Sequence, residues 1–145
     1  MMERDRVQKQ ITPPDIQRWN DEMLAARLFH ELIGDSDFNQ TNTLITKDWR
    51  VWMIDFTRAF RRAKTLQYPE EVRRIDRTLL GRLRALTQND MRQKLGKWLA
   101  NDEIDAVLAR RDALVGLVDK RVAANGEATV FYDFPRVSEP CGTGL

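Results

Sequence analysis

The sequence predicts a mainly α-helical chain with one small β-hairpin, an α+β arrangement in a single domain. Three observations predict it. Apolar residues recur every three or four positions over 16–33, 72–86 and 104–122, the period of a helix with one buried face. Two short runs, 43–46 and 51–54, are instead rich in β-branched and aromatic residues, with turn-compatible Lys47-Asp48-Trp49-Arg50 between them. The length of 145 residues, 42% of them hydrophobic, is enough for one ordinary core and excludes wholesale disorder.

In order, 1–14 is a lead-in. Pro13 and Pro14 stop any helix arriving from upstream, since each lacks an N–H donor and restricts the residue before it. Asp15 stands where an acid favours a helix start. Ile16, Trp19, Met23, Ala26, Phe29 and Ile33 give that helix its apolar face, and Gly34 ends it as a C-cap. The hairpin follows. From Phe56 to Tyr68 no period holds, and Arg58, Arg61, Arg62 and Lys64 make the segment basic. Pro69 suits the first turn of a second helix, with Glu70 and Glu71 at its positive end and Val72, Ile75, Leu79, Leu83 and Leu86 as its stripe. A short helix after Asn89 carries Met91, Leu95 and Trp98. The last long helix starts with Asn101 as N-cap and Asp102 and Glu103 in its first turn, buries Ile104, Val107, Leu108, Leu114, Val118 and Val122, and stops at Asn125-Gly126. Residues 128–134 form one more strand or an extended segment, and 135–145 a flexible tail.

Composition narrows the function classes. No apolar run reaches membrane-spanning length, and the polar, charged N-terminus is no secretory signal. The single cysteine, Cys141, supports neither a disulfide framework nor a thiolate metal cage, which fits a reducing cytoplasm. A net charge of +2 is not the basic excess of a dedicated nucleic-acid binder.

The chemistry concentrates in 34–55, GDSDFNQTNTLITKDWRVWMID. Asp37 and Asn42 stand five apart in a polar loop, and the hairpin then carries Asp55 back toward them. Phosphoryl transfer from ATP needs a group to receive the nucleophile's proton, Mg²⁺ (or Mn²⁺) to neutralise phosphate charge, and in-line positioning. Hard oxygen ligands of the kind Asn42 and Asp55 supply suit Mg²⁺. The Asp-x-x-x-x-Asn spacing alone is common; a long helix before it, a hairpin after it and Ile-Asp-Phe at the hairpin's end sharpen it. The rival local reading is that Asp37 and Asn42 cap turns and Asp55 ends a strand.

FHELIGDSDFNQTNTLI and WMIDFTRAF resemble the catalytic-loop and metal-loop region of the atypical kinase-like superfamily, which includes the phosphatidylinositol 3/4-kinases, HipA-type bacterial kinases and secretory-pathway kinases. The resemblance spans 29–60. It implies a protein-kinase-like C-terminal lobe over 15–134, with Asp37 as catalytic base, Asn42 as first metal ligand and Asp55 in the place of the Asp of Asp-Phe-Gly. ATP and Mg²⁺ or Mn²⁺ are the cofactors it implies, with a hydroxyl-bearing acceptor as the other substrate. Phe38 and Asn39 stand where relatives carry a basic residue and often His, Asp35 where Asn is frequent, and Phe56-Thr57 in place of Phe-Gly. No glycine precedes Gly34 and no strand–turn–strand pattern precedes Asp15, so the nucleotide-covering N-lobe is missing from these residues. The chain alone is expected to be inactive, either as a portion of a longer protein or with a partner. The alternative is a non-catalytic interaction module derived from such a lobe.

Other signals carry two readings each. Arg58, Arg61 and Arg62 are candidates for holding an anion or acceptor, or a solvated loop surface. Asp35, Asp37 and Asn39 begin like an EF-hand loop, but Gln40 and Thr46 replace its Gly and Glu, so Asp35 and Asn39 stay as auxiliary oxygen donors only. Arg73, Arg74 and Arg77 are expected to pair within their helix with Glu70, Glu71 and Asp76. His30, the only histidine, is expected to be a partly exposed packing residue, and the four tryptophans to pack in the core.

Overall fold

The computed structural model describes residues 1–134; the tail expected over 135–145, with Cys141, lies outside them. The lead-in is structured: α1 spans Glu3–Gln8. Its first residues join the hairpin, the Met1 ammonium donating to Ile45 O at 2.9 Å and Met2 bridging Leu44. Asp15 caps α2, Ile16–Ile33, accepting the Arg18 N–H, and Gly34 closes it in the left-handed conformation at φ 63°. The expected apolar face is only partly the buried one. Trp19, Ala26 and Ile33 are buried, but Ile16 and Phe29 are exposed, and Asp21, His30 and Glu31 are buried instead.

The hairpin forms where expected: β1, Thr43–Ile45, pairs antiparallel with β2, Val51–Met53, in the register Leu44↔Trp52. Trp49 takes φ 62° to close its turn. Two contacts seat the hairpin on α2: Trp49 meets Trp19 edge-on at 6.0 Å, and the Val51 N–H donates to Glu22 Oε2 at 2.6 Å.

After the irregular stretch 56–68, Pro69 opens only a single 3₁₀ turn, Pro69–Glu71. The expected helix from Pro69 is corrected: β3, Ile75–Asp76, comes first, and α3, Arg77–Ala85, starts only after it. Asp76 explains the break. Its Oδ2 accepts the Leu79 N–H as N-cap, which requires an extended backbone at Asp76 itself. The arginines here pair across elements, not along one helix: Arg74 with Asp21, Arg77 with Glu127 and Asp133, while Glu71 pairs with Arg27.

Helix α4, Gln88–Leu95, is held by a reciprocal capping box between Thr87 and Asp90. Helix α5, Asn101–Asn125, begins one residue earlier than expected, with Ala100 as cap residue and its N–H taken by Glu103 Oε2 at 2.8 Å. A one-turn α6, Glu127–Val130, then leads to β4, Phe131–Tyr132, which lies parallel to β3. Residues 128–134 thus combine a helical turn and a strand.

The main core packs Leu28 of α2, Leu80 and Leu83 of α3, and Leu114 and Val118 of α5 with Val72, Ile75 and Val130. Each such side chain contributes about 1.5–3 kcal/mol on burial. A second cluster joins Met91 of α4 to Ile104 and Val107 of α5. Two tryptophans depart from the expected core role: Trp52 and Trp98 are 62% and 74% exposed. Among the described residues no helix is long and apolar enough to cross a membrane.

Candidate functional site

The polar loop 35–42 is held by its own side chains. Asp35, buried at the end of α2, accepts the Asp37 N–H on Oδ1 at 3.0 Å. Asn39 donates from Nδ2 to the Asp37 carboxylate at 3.0 Å, and its own Oδ1 takes the Thr41 N–H and hydroxyl and the Asn42 N–H. Asn42 donates from Nδ2 to the Asp37 carbonyl at 3.1 Å. With Nδ2 so engaged, the amide's acceptor, Oδ1, is the atom left for a ligand. The loop therefore joins Asp35, Asp37, Asn39 and Asn42 in one network.

Asp55 reaches the same loop by a different route. The Ile54 N–H donates to Asn42 O at 3.0 Å, so β2 ends on the loop and Asp55 follows at once, in the left-handed conformation at φ 59°. Its Oδ1 accepts the Thr57 hydroxyl at 2.7 Å and the Thr57 N–H at 3.3 Å. Those two bonds hold its carboxyl below the ordinary carboxylate range, with Arg58 adding to the effect. Arg58 also faces Asp37, Nε to Oδ2, at 3.8 Å. Both carboxylates thus lie within the field of one guanidinium.

The other two candidate anion ligands are engaged differently. Arg62 pairs with Asp102 at the start of α5 at 2.8 Å, and the Arg61 carbonyl accepts from Arg110. Among the described residues, no group of three or more His, Cys, Asp or Glu side chains forms a ready metal cluster. A divalent ion here would draw on one carboxylate, Asp55, and the Asn42 amide oxygen, with waters or a ligand's oxygens completing its shell, a set that suits a hard cation.

Three buried polar residues behind the loop escaped the sequence reading. His30 corrects the expectation of partial exposure: it is 3% exposed, its Nδ1 2.8 Å from Asp35 Oδ2. Burial pushes the imidazole below its ordinary value, against an opposing pull from Asp35. Glu31 accepts the Gln67 and Tyr68 N–H groups at 2.8 and 2.9 Å. Arg110 of α5 is wholly buried, its guanidinium donating to the carbonyls of Leu32 at 3.0 Å, Arg61 at 2.7 Å, and Ala63. With the Phe60 N–H on Ile33 O, these bonds fasten the basic stretch 56–68 to the end of α2. A signal existed: 26, 30 and 33, like 107, 110 and 114, follow helical spacing, which places His30 and Arg110 on inward faces.

Between α2, the loop and the 3₁₀ turn lies a cavity of about 200 Å³. Ser36 and Phe38, the neighbours of Asp37, line it together with Arg27, His30 and Tyr68. A larger apolar groove of about 490 Å³ runs on the hairpin side, lined by Ala25, Phe29, Val51, Met53 and Leu79 beside the exposed Trp52. No model of a known protein family matches the chain, and no curated protein matches it significantly.

Proposed function

We propose that the chain is the catalytic C-lobe portion of an ATP- and Mg²⁺-dependent phosphotransferase of the atypical kinase-like type. One observation supports this reading above the others: Asp37 and Asn42 are tied together within one loop, and the hairpin's return strand bonds to the Asn42 carbonyl one residue before Asp55. Turn-capping alone accounts for the bonds within the loop. It does not account for the backbone bond by which a separate element, the hairpin, returns to Asn42 immediately before Asp55.

In this reading Asp37 Oδ2 receives the proton of the acceptor hydroxyl, while the Asn39 amide on Oδ1 fixes the carboxylate's orientation. Asn42 Oδ1 and Asp55 hold the metal, which when bound neutralises the charge of the transferring phosphate. Arg58 supplies a positive charge beside Asp37, in whose field Asp55 also lies. The groups that cover the nucleotide come from outside these residues, so the chain alone is inactive.

Calorimetric titration with Mn²⁺, with and without ATP, tests the reading. Wild type is expected to bind the ion, and Asp55→Ala to bind it at least about tenfold more weakly. Identical heats for the two proteins sink the metal site and the phosphotransfer reading with it. That result is also what the second reading requires, a non-catalytic interaction module, which the exposed Trp52 beside an apolar groove favours.

A further inference from the structure

We propose that His30 and Asp35 form a positioning pair for Asp37, the neutral imidazole donating its Nδ1–H to Asp35 Oδ2 while Asp35 Oδ1 receives the Asp37 N–H. The purpose of the pair rests on the reading of Asp37 as proton acceptor; its existence does not. Four features support it. The two side chains are almost wholly buried, at 4% and 0% exposure, with Nδ1 and Oδ2 2.8 Å apart. Both imidazole nitrogens and Asp35 Oδ2 are buried and none of them makes a well-directed hydrogen bond among the described residues, which leaves the 2.8 Å approach of Nδ1 to Oδ2 as the contact through which a donor and an acceptor there can satisfy each other. Asp35 Oδ1 is already committed to the Asp37 backbone at 3.0 Å. Finally, the imidazole lies against Phe38 at 4.3 Å and Phe56 at 5.8 Å, the residues directly after Asp37 and Asp55. One buried ring therefore touches both chain segments that carry the candidate carboxylates.

The chemistry explains the residue types. Asp35 must accept in two directions, from His30 on one oxygen and from Asp37 on the other. A carboxylate offers two acceptor oxygens; an amide offers one and a donor. The imidazole must donate from Nδ1 and stay uncharged, which its burial favours. The pair thus fixes the Asp37 backbone from its N–H side, as Asn42 fixes it from its carbonyl.

Nitrogen-15 NMR of the intact chain tests this without any assay of phosphotransfer. The His30 ring is expected as the Nδ1–H tautomer with a pyridine-like Nε2. In Asp35→Asn, whose Nδ2 must donate where an oxygen accepted, the ring is expected to switch to the Nε2–H tautomer while the Asp37 amide stays protected. In Asp35→Ala that amide is expected to exchange about tenfold faster, with the Asn42 amide, bonded to Asn39, unchanged. An Nε2–H ring in wild type, or no tautomer switch in Asp35→Asn, overturns the pair, and neither measurement depends on Asp35→Ala folding. Identical Mn²⁺ heats for wild type and Asp55→Ala would strike the phosphotransfer reading alone and leave these spectra as they are.

Discussion

Gly34 and Arg110 meet at the end of α2. Gly34 closes the helix at φ 63°, a conformation that costs any residue with a Cβ. A Cβ built there would also stand 2.7 Å from the Arg110 guanidinium carbon, which cannot withdraw because it holds the carbonyls of Leu32, Arg61 and Ala63. Gly34→Ala is therefore expected to destabilise the fold by about 2 kcal/mol or more, read from urea unfolding midpoints. Arg110→Met removes the donor shared by the carbonyls of Leu32, Arg61 and Ala63 and is expected to cost about 2 kcal/mol or more by the same measurement. His30 adds a pH dependence. Its folded-state value lies below its ordinary 6.5 because burial disfavours the cation. The unfolded chain therefore binds the proton first, and the stability that His30 contributes is full above about 6.5 and lost as pH falls toward the lower folded value. Thermal melts between neutral and mildly acidic pH should show that loss, and His30→Gln should flatten it. These residues mark where sequence reading ran out. Gly34 was legible because a left-handed cap is a local property, whereas the burial of His30 and Arg110 depends on partners 5 to 78 positions away.

At the scale of elements, local chemistry and long-range pairing divide the outcome in the same way. Helix α2 and the hairpin were foreseen because their signals, a 3.6-residue period with caps and a turn between β-branched runs, lie within the elements themselves. The helix expected from Pro69 was not found because Ile75 and Asp76 pair with Phe131 and Tyr132, more than fifty residues on, which no local period reveals. The candidate residues Asp37 and Asn42 were picked out by spacing, but the hydrogen-bond network around them was not, since Asn39 and Asp35 act through bonds that a spacing rule does not encode. Asp76 shows how one residue serves two elements. Its Oδ2 caps α3 through the Leu79 N–H, and its Oδ1 takes the Phe134 N–H beyond β4 at 2.8 Å. Asp76→Ala should therefore cost more than an ordinary N-cap, roughly 2 kcal/mol instead of about 1. Hydrogen exchange should show both the first turn of α3 and the 131–134 segment opening together. Opening of α3 alone would mean that the second bond contributes nothing.

Across the described residues, a contact ties the last strand back to α2. The Tyr132 hydroxyl donates to the Asp21 carbonyl at 3.0 Å, joining β4 to the helix that carries the candidate site. The neighbouring Arg74 stacks over the same ring at 5.3 Å and pairs with Asp21. Burial, helped by the nearby Asp21 and Asp76 carboxylates, pushes the phenol well above its ordinary value of 10.0. The folded state therefore keeps the proton that the unfolded chain releases, so this contribution is complete below about 10 and is lost as pH rises past it. Tyr132→Phe keeps the ring and its packing and removes only the hydroxyl. It should cost about 1 kcal/mol near neutral pH, where the Asp21 carbonyl loses its donor, and should also abolish the alkaline loss of stability. A variant that melts like wild type at neutral pH and still loses stability above 10 would show that the closure of the fold lies in the apolar contacts of Val130 and Ile75, with the hydroxyl incidental.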